Sequence, residues 1–173
     1  NWALGGPSAD LPTGAGRPPG TTGEEGLSVF WLRADTPGIT RIALPTMDQT
    51  RRLASVELGE VVVPPDALVG EEGRGWALCE RTLDLARIAL AAEQVGAAEM
   101  CLDLSVEYAK VRKQFGRPIG SFQAIKHTCA DMLMMIESAR SAAFYASALA
   151  GQGEPDLKEA ASSAKAFCSD TFF

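Results

Sequence analysis

From Trp76 to Lys113 the chain runs without a proline, and apolar residues recur at helical spacing: Leu78, Leu85, Ala89, Ala92, Gly96, Met100, Leu104 and Tyr108. Unbroken, this is one helix of about 38 residues and about 57 Å. Ala89, Ala92 and Gly96 share a face. A glycine in mid-helix costs about 1 kcal/mol relative to alanine, so close helix-to-helix contact is expected there. Gly116-Arg-Pro118 breaks the pattern, and Ser121 reads as the N-cap of a second helix that runs to about Ala150. Its inward residues are read as Phe122, Ile125, Cys129, Met132, Met135 and Ile136. Gly151-Gln-Gly-Glu-Pro155 ends that helix, and a third starts near Pro155 and is still running at Phe173. The apolar Phe172-Phe173 end makes the chain read as one cut inside a helical bundle.

Upstream of Gly70 the signals are different. Residues 1–26 hold seven glycines and four prolines, and read as a loop or disordered segment. Residues 27–70 carry short β-type runs: Leu27-Ser-Val-Phe-Trp-Leu32, Ile39-Thr-Arg-Ile-Ala-Leu44, Ala54-Ser-Val-Glu-Leu58 and Val61-Val-Val63. Pro45, Pro64-Pro65 and Asp35-Thr-Pro-Gly38 punctuate them. The expected fold class is α+β: a partial antiparallel β-domain of four strands over 27–70, then part of an up-down helical bundle over 71–173.

Composition narrows the function. No apolar run approaches the roughly 20 residues of a membrane span, so no membrane partner is expected. A net charge of -6 supplies no basic field for a phosphate backbone, which removes nucleic acid as an expected partner. Four cysteines, Cys79, Cys101, Cys129 and Cys168, are widely spaced beside a single histidine, His127. That pattern argues against zinc, and for reduced thiols in a cytoplasmic setting. No metal-ligand set is expected, and His127 reads as a helix-surface or capping residue rather than a catalytic one. The chain begins with Asn1 rather than Met and reads as a fragment.

One segment offers chemistry: Tyr108-Ala-Lys-Val-Arg-Lys-Gln-Phe-Gly-Arg-Pro-Ile-Gly-Ser-Phe-Gln-Ala-Ile-Lys-His127. It sets an arginine, a glutamine and an aromatic residue at a helix end, then a tight turn, then Gln123 in the first turn of the next helix. An arginine fork grips pyrophosphate in bidentate fashion, a helix N-terminus adds N–H donors, and Phe115 can cover a planar ring. On spacing alone the same residues also read as a plain helical hairpin with a surface arginine and a core phenylalanine.

The segment resembles the signature of the acyl-CoA dehydrogenase family: a tyrosine, then Arg-x-x-Phe-Gly, then Phe-Gln, then Ala130-Asp-Met132. The resemblance extends back through Gly73-Arg-Gly-Trp76, the Val61-Val-Val-Pro-Pro-Asp-Ala-Leu-Val-Gly70 run and Asp35-Thr-Pro-Gly38, so it covers about residues 27–173. It implies a flavoenzyme that removes two hydrogens from Cα and Cβ of an acyl-CoA thioester, with FAD as cofactor. By matching position, Arg112, Gln114, Phe115 and Gln123 are the implied FAD contacts, made to a flavin held mainly by a neighbouring subunit. Asp84 and Arg87 are the implied substrate-side residues, although a solvated helix face accounts for them equally well. An electron-transfer flavoprotein or similar acceptor and a homo- or hetero-oligomer, dimer or tetramer, are the other implied partners. Some members place the catalytic base on the first long helix, at the position of Ala86, which has no proton acceptor. Glu80, Asp84 and Glu93 are the nearby acids; Glu80 and Asp84 project away from Ala86, and Glu93 shares its face about 10 Å along the axis. No catalytic residue is therefore assigned. The wording of Thr46-Met-Asp-Gln-Thr-Arg-Arg52 is more like actinobacterial members acting on bulky acyl-CoAs, including steroid side chains. The alternative is a non-catalytic, structural or flavin-bridging subunit of a heteromeric dehydrogenase.

Overall fold

The computed structural model describes residues 2–10, 13–152 and 155–173. The chain divides into two compact units, one up to Cys79 and one from Glu80 onward.

The first unit is built from two three-stranded antiparallel sheets. In one, β1 (Trp2–Leu4) lies beside β5 (Leu53–Leu58), which pairs on its other side with β4 (Ile39–Leu44) from Ile39↔Leu58 to Leu44↔Leu53. In the other, β3 (Ser28–Trp31) sits between β2 (Thr13–Gly16) and β6 (Leu68–Val69). The loop reading of residues 1–26 is corrected at two places, since β1 and β2 fall inside it; residues 1, 11 and 12 lie outside the described residues. The reason is pairing rather than propensity. Gly14 and Gly16 are poor strand formers, but they sit opposite Phe30 and Ser28 and satisfy an edge that would otherwise be bare. Val61 to Val63, read as β-type, forms no strand, and Val62 is exposed to solvent.

The turn into β4 depends on Gly38. Its φ is +90°, and a Cβ there would lie 2.2 Å from the Gly59 carbonyl oxygen and 3.0 Å from Val61 Cγ2. The Gly59 N–H donates to the Gly38 carbonyl at 2.9 Å, so neither backbone can retreat without losing that bond. Gly38→Ala is expected to destabilise by about 1–3 kcal/mol, the scale of one residue forced into a sparse backbone region. An unchanged urea midpoint would show that the turn has another path.

The start of α1 (Gly75–Val111) is tied to the beginning of β3: the Gly75 N–H donates to the carbonyl of Leu27, just before the strand, at 2.6 Å, and the Gly73 N–H to the buried Ser28 hydroxyl at 2.9 Å. The second unit comprises the rest of α1, α2 (Gln123–Gln152) and α3 (Leu157–Phe172). Their shared core is Ile88, Ala91 and Val95 from α1, Ala139, Ala143 and Ala146 from α2, and Leu157, Ala161, Ala164 and Cys168 from α3. Burial pushes the Cys168 thiol above its ordinary value, with Lys165 opposing. Polar ties give the directions of the helices. Arg81 donates to the Ala150 carbonyl at 3.1 Å and Arg140 pairs with Glu99 at 2.9 Å, so α1 and α2 run antiparallel. Lys158 pairs with Glu80, and Gln94 donates to Ser169 at 3.2 Å, which sets α3 parallel to α1. A second cluster, Ala98, Leu102 and Ile136, carries the α1–α2 contact toward the connecting hairpin.

The length of α1 is as read, but its phase is corrected. The buried stripe is Asp84, Ile88, Ala91, Val95, Ala98, Leu102 and Ala109, whereas Leu78, Leu85, Met100, Leu104 and Tyr108 are exposed. Over Leu85, Ala89, Ala92 and Gly96 the error is one residue, which turns a helix face by about 100°. Gly96 has nothing within 4 Å of where a Cβ would stand, so among the described residues no contact calls for the glycine. On α2 the inward set is as read except Met135, which is exposed. Ser121 is not the N-cap: its hydroxyl donates to the Pro118 carbonyl at 2.7 Å, within a short 3-10 turn of Ile119–Ser121. Pro155 precedes α3, and residues 153 and 154 of the intervening segment lie outside the described residues. Among the described residues no helix is long and apolar enough to cross a membrane.

Candidate functional site

α1 ends in a miniature hairpin: β7 (Lys113–Gln114) pairs with β8 (Arg117–Pro118), Gln114 opposite Arg117. The two tip residues, Phe115 and Gly116, have φ of +53° and +78°, the positive values that a mirror-image two-residue turn demands. Three contacts hold the hairpin to the helices. The Arg112 N–H donates to the Tyr108 carbonyl at 2.9 Å, and the Ile119 N–H donates to the Arg112 carbonyl at 2.8 Å. Gly120 lies against the α1 backbone, where a Cβ would meet the Ala109 carbonyl oxygen at 3.0 Å.

This geometry brings Arg112, Gln114 and Phe115 onto one arm and its tip, with Gln123 at the first position of α2 just beyond the other arm. All four are exposed. Among the described residues the side chains of Arg112, Gln114 and Gln123 make no hydrogen bond or ion pair. Phe115 is 92% exposed. A fork of guanidinium donors, two side-chain amides and a flat ring are thus all exposed to solvent around one turn. That donor set suits a ligand with an anionic linkage and a planar ring system, which FAD is. Phe115 is in edge contact with Phe122, and the Arg117 guanidinium carbon lies 4.2 Å from the centroid of that same Phe122 ring. Arg117 and Phe122 are not in the set the sequence singles out as site residues, because their meeting is visible only once the turn is folded. Beneath the hairpin a cavity of about 450 Å³ is lined by Val106, Ala109, Pro118, Ile125 and Cys129, with Lys110 and Lys126 also on its wall.

Asp84 and Arg87 form a separate place, about 40 Å of helix away from Arg112 at 1.5 Å per residue. The Asp84 side chain is 6% exposed and accepts from Arg87 at 2.5 Å, one turn on, while the Arg87 side chain is 37% exposed. Asp84 is therefore not on a solvated face, whereas Ala86 is exposed. Glu80 is engaged by Lys158. His127 is on the exposed surface of α2.

Residues 73–173 match the family model "Acyl-CoA dehydrogenase, C-terminal domain". Acyl-CoA dehydrogenase IpdE2 of Mycolicibacterium smegmatis is 50% identical over 97 residues, covering 56% of this chain and 27% of that protein. Butyryl-CoA dehydrogenase from Megasphaera elsdenii superposes with a TM-score of 0.92 at 35% identity, over 97% of this chain and 44% of that one. PigA solved with FAD and proline gives a TM-score of 0.92 at 26% identity, over 98% of this chain and 44% of that one. The chain spans about two fifths of the length of the curated relatives it matches, 37% and 39% for the first of them. With more than half of its residues inside the C-terminal-domain match and its α1–hairpin–α2 segment carrying the family's signature, the chain belongs to the acyl-CoA dehydrogenase family.

Proposed function

We propose that this chain supplies one wall of the flavin site of an FAD-dependent acyl-CoA dehydrogenase, which desaturates an acyl-CoA thioester between Cα and Cβ. The observation that carries this reading is the exposed quartet of Arg112, Gln114, Phe115 and Gln123 around one hairpin. Arg112 holds the pyrophosphate through its fork, the amides of Gln114 and Gln123 donate to ligand oxygens, and the Phe115 ring covers a flat part of the ligand. Bound FAD supplies the hydride acceptor. Because the quartet points out of the chain, it serves a flavin held mainly by a neighbouring subunit, and the working form is an oligomer. Arg87, half-exposed beside buried Asp84, is the substrate-side group. The substrate is an acyl-CoA, with a bulky acyl group the reading that the sequence wording supports, and an electron-transfer flavoprotein is the acceptor class. A second reading, a non-catalytic flavin-bridging subunit, is favoured by the methyl group at Ala86 and by the engagement of Asp84 with Arg87. Acyl-CoA-dependent dye reduction by the assembled protein separates the two.

The flavin reading is tested at Arg112. In the assembled protein, Arg112→Ala is expected to weaken FAD binding by about 1.5–3 kcal/mol, the range for hydrogen bonds to charged groups. Arg112→Lys is expected to recover only part, because an ammonium does not reproduce the planar fork. Titration followed by flavin fluorescence reads both, and unchanged affinity in the two variants with folding intact would leave Arg112 a surface residue.

A further inference from the structure

We propose that Arg117 is a positioning residue: its guanidinium, laid on the ring of Phe122, holds the hairpin tip in the conformation in which Phe115 meets the flavin. This rests on the reading of the hairpin as a flavin wall. Phe115 sits at φ +53°, a region that aromatic residues avoid, at a turn position that asparagine or glycine ordinarily fills. Its ring is 92% exposed, so burial within the chain does not hold it there. The backbone of the hairpin is a weak clamp. Each arm has two residues, and one of them, Pro118 opposite Lys113, has no N–H to give to the ladder. A hairpin this short does not hold itself in water.

The side chains supply what the ladder lacks. Phe122 is half-buried, and its carbonyl accepts the Lys126 N–H at 3.1 Å at the start of α2, so its ring stands on a fixed backbone. Two hairpin residues converge on that ring. Phe115 approaches at 6.2 Å between centroids with planes at 83°, the edge-to-face arrangement that aromatic pairs favour. Arg117, from the opposite side of the turn, places its guanidinium carbon 4.2 Å from the same ring's centroid. The tip residue Phe115 and the arm residue Arg117 are thus fastened to one post. Among the described residues Arg117 makes no ion pair and no side-chain hydrogen bond, so the ring is the contact that fixes its direction. A strained residue at a tip, held by contacts that leave its ring outward, is the arrangement of a preformed ligand wall.

The test measures order and binding separately in the assembled protein. Hydrogen exchange of the Arg117 and Ile119 amides is followed without flavin, and FAD affinity by titration with FAD itself, for Arg117→Ala, Arg117→Lys and Arg112→Ala. The expected result is exchange at both amides about two- to fivefold faster in Arg117→Ala and FAD affinity lowered by a similar factor, the size of an exposed cation–ring contact. Arg117→Lys should retain most of both, since an ammonium also sits on a ring face. Lost affinity with unchanged exchange would make Arg117 a direct ligand contact and overturn the positioning role. Faster exchange with unchanged affinity, while Arg112→Ala still weakens binding, would overturn it as well. If Arg112→Ala also leaves FAD affinity unchanged, the flavin-wall reading itself fails, and the positioning role falls with it.

Discussion

Ile136→Ala is expected to lower the stability of the helical unit by about 2–5 kcal/mol, the range for removing a large aliphatic side chain from a packed core. Ile136 is 2% exposed and joins α2 to Ala98 and Leu102 of α1, with Val106, Cys129 and Met132 packed around it. Among the described residues Ile136 is the fully buried side chain that α2 gives to that cluster, and Ala98 and Leu102 across from it stand on a long helix. Ile136→Val, which removes a single methylene, should cost about 0.5–1.5 kcal/mol. Urea unfolding at constant m-value reads both. An Ile136→Ala loss below about 1 kcal/mol would mean that the helices collapse onto the space.

Arg87→Ala is expected to cost about 3 kcal/mol in the absence of any acyl-CoA. The loss arises at Asp84 more than at the arginine itself. The carboxylate is buried and, among the described residues, its partner is Arg87 at 2.5 Å, so removing the cation strands a charge away from water. Breaking a buried pair from one side costs about 3–5 kcal/mol, and the half-exposed guanidinium places this pair at the low end. The double variant Asp84→Leu with Arg87→Leu should recover most of the loss, because an apolar pair of similar volume no longer carries charge into the interior. If the double variant is less stable than Arg87→Ala, the pair contributes more than the removal of a stranded charge explains.

How much of this was legible beforehand depends on the range of the interaction involved. The extent of α1 was legible because it needs only an absence of proline and a 3.6-residue period. Its phase was not. Apolar side chains occupy more than one face, and the seam that the other helices select is lined by Ala91, Ala98 and Ala109, which a hydrophobic pattern weighs less than Leu85 or Leu104. β1 and β2 were illegible for a related reason: their residues are strands only because β5 and β3 present edges to them. At the hairpin, the gathering of Arg112, Gln114, Phe115 and Gln123 around one turn was legible from their order along the chain. The Arg117 and Phe122 contact was not, since it depends on the two sides of a turn closing around one ring.

The alanine seam has a consequence for how the helical unit responds to force and substitution. Ala91, Ala139, Ala146 and Ala161 are fully buried, and alanine has no rotamers to freeze, so assembling this seam loses almost no side-chain entropy. The same property removes compliance. A leucine-lined contact absorbs a misfit by switching a χ angle, whereas a seam of methyl groups transmits it to the backbone and moves a whole helix. Ile88, Val95 and Leu157 are the larger aliphatic side chains among those methyl groups, so a bulkier residue placed at Ala91, Ala139, Ala146 or Ala161 is accommodated mainly by a shift of helix backbone.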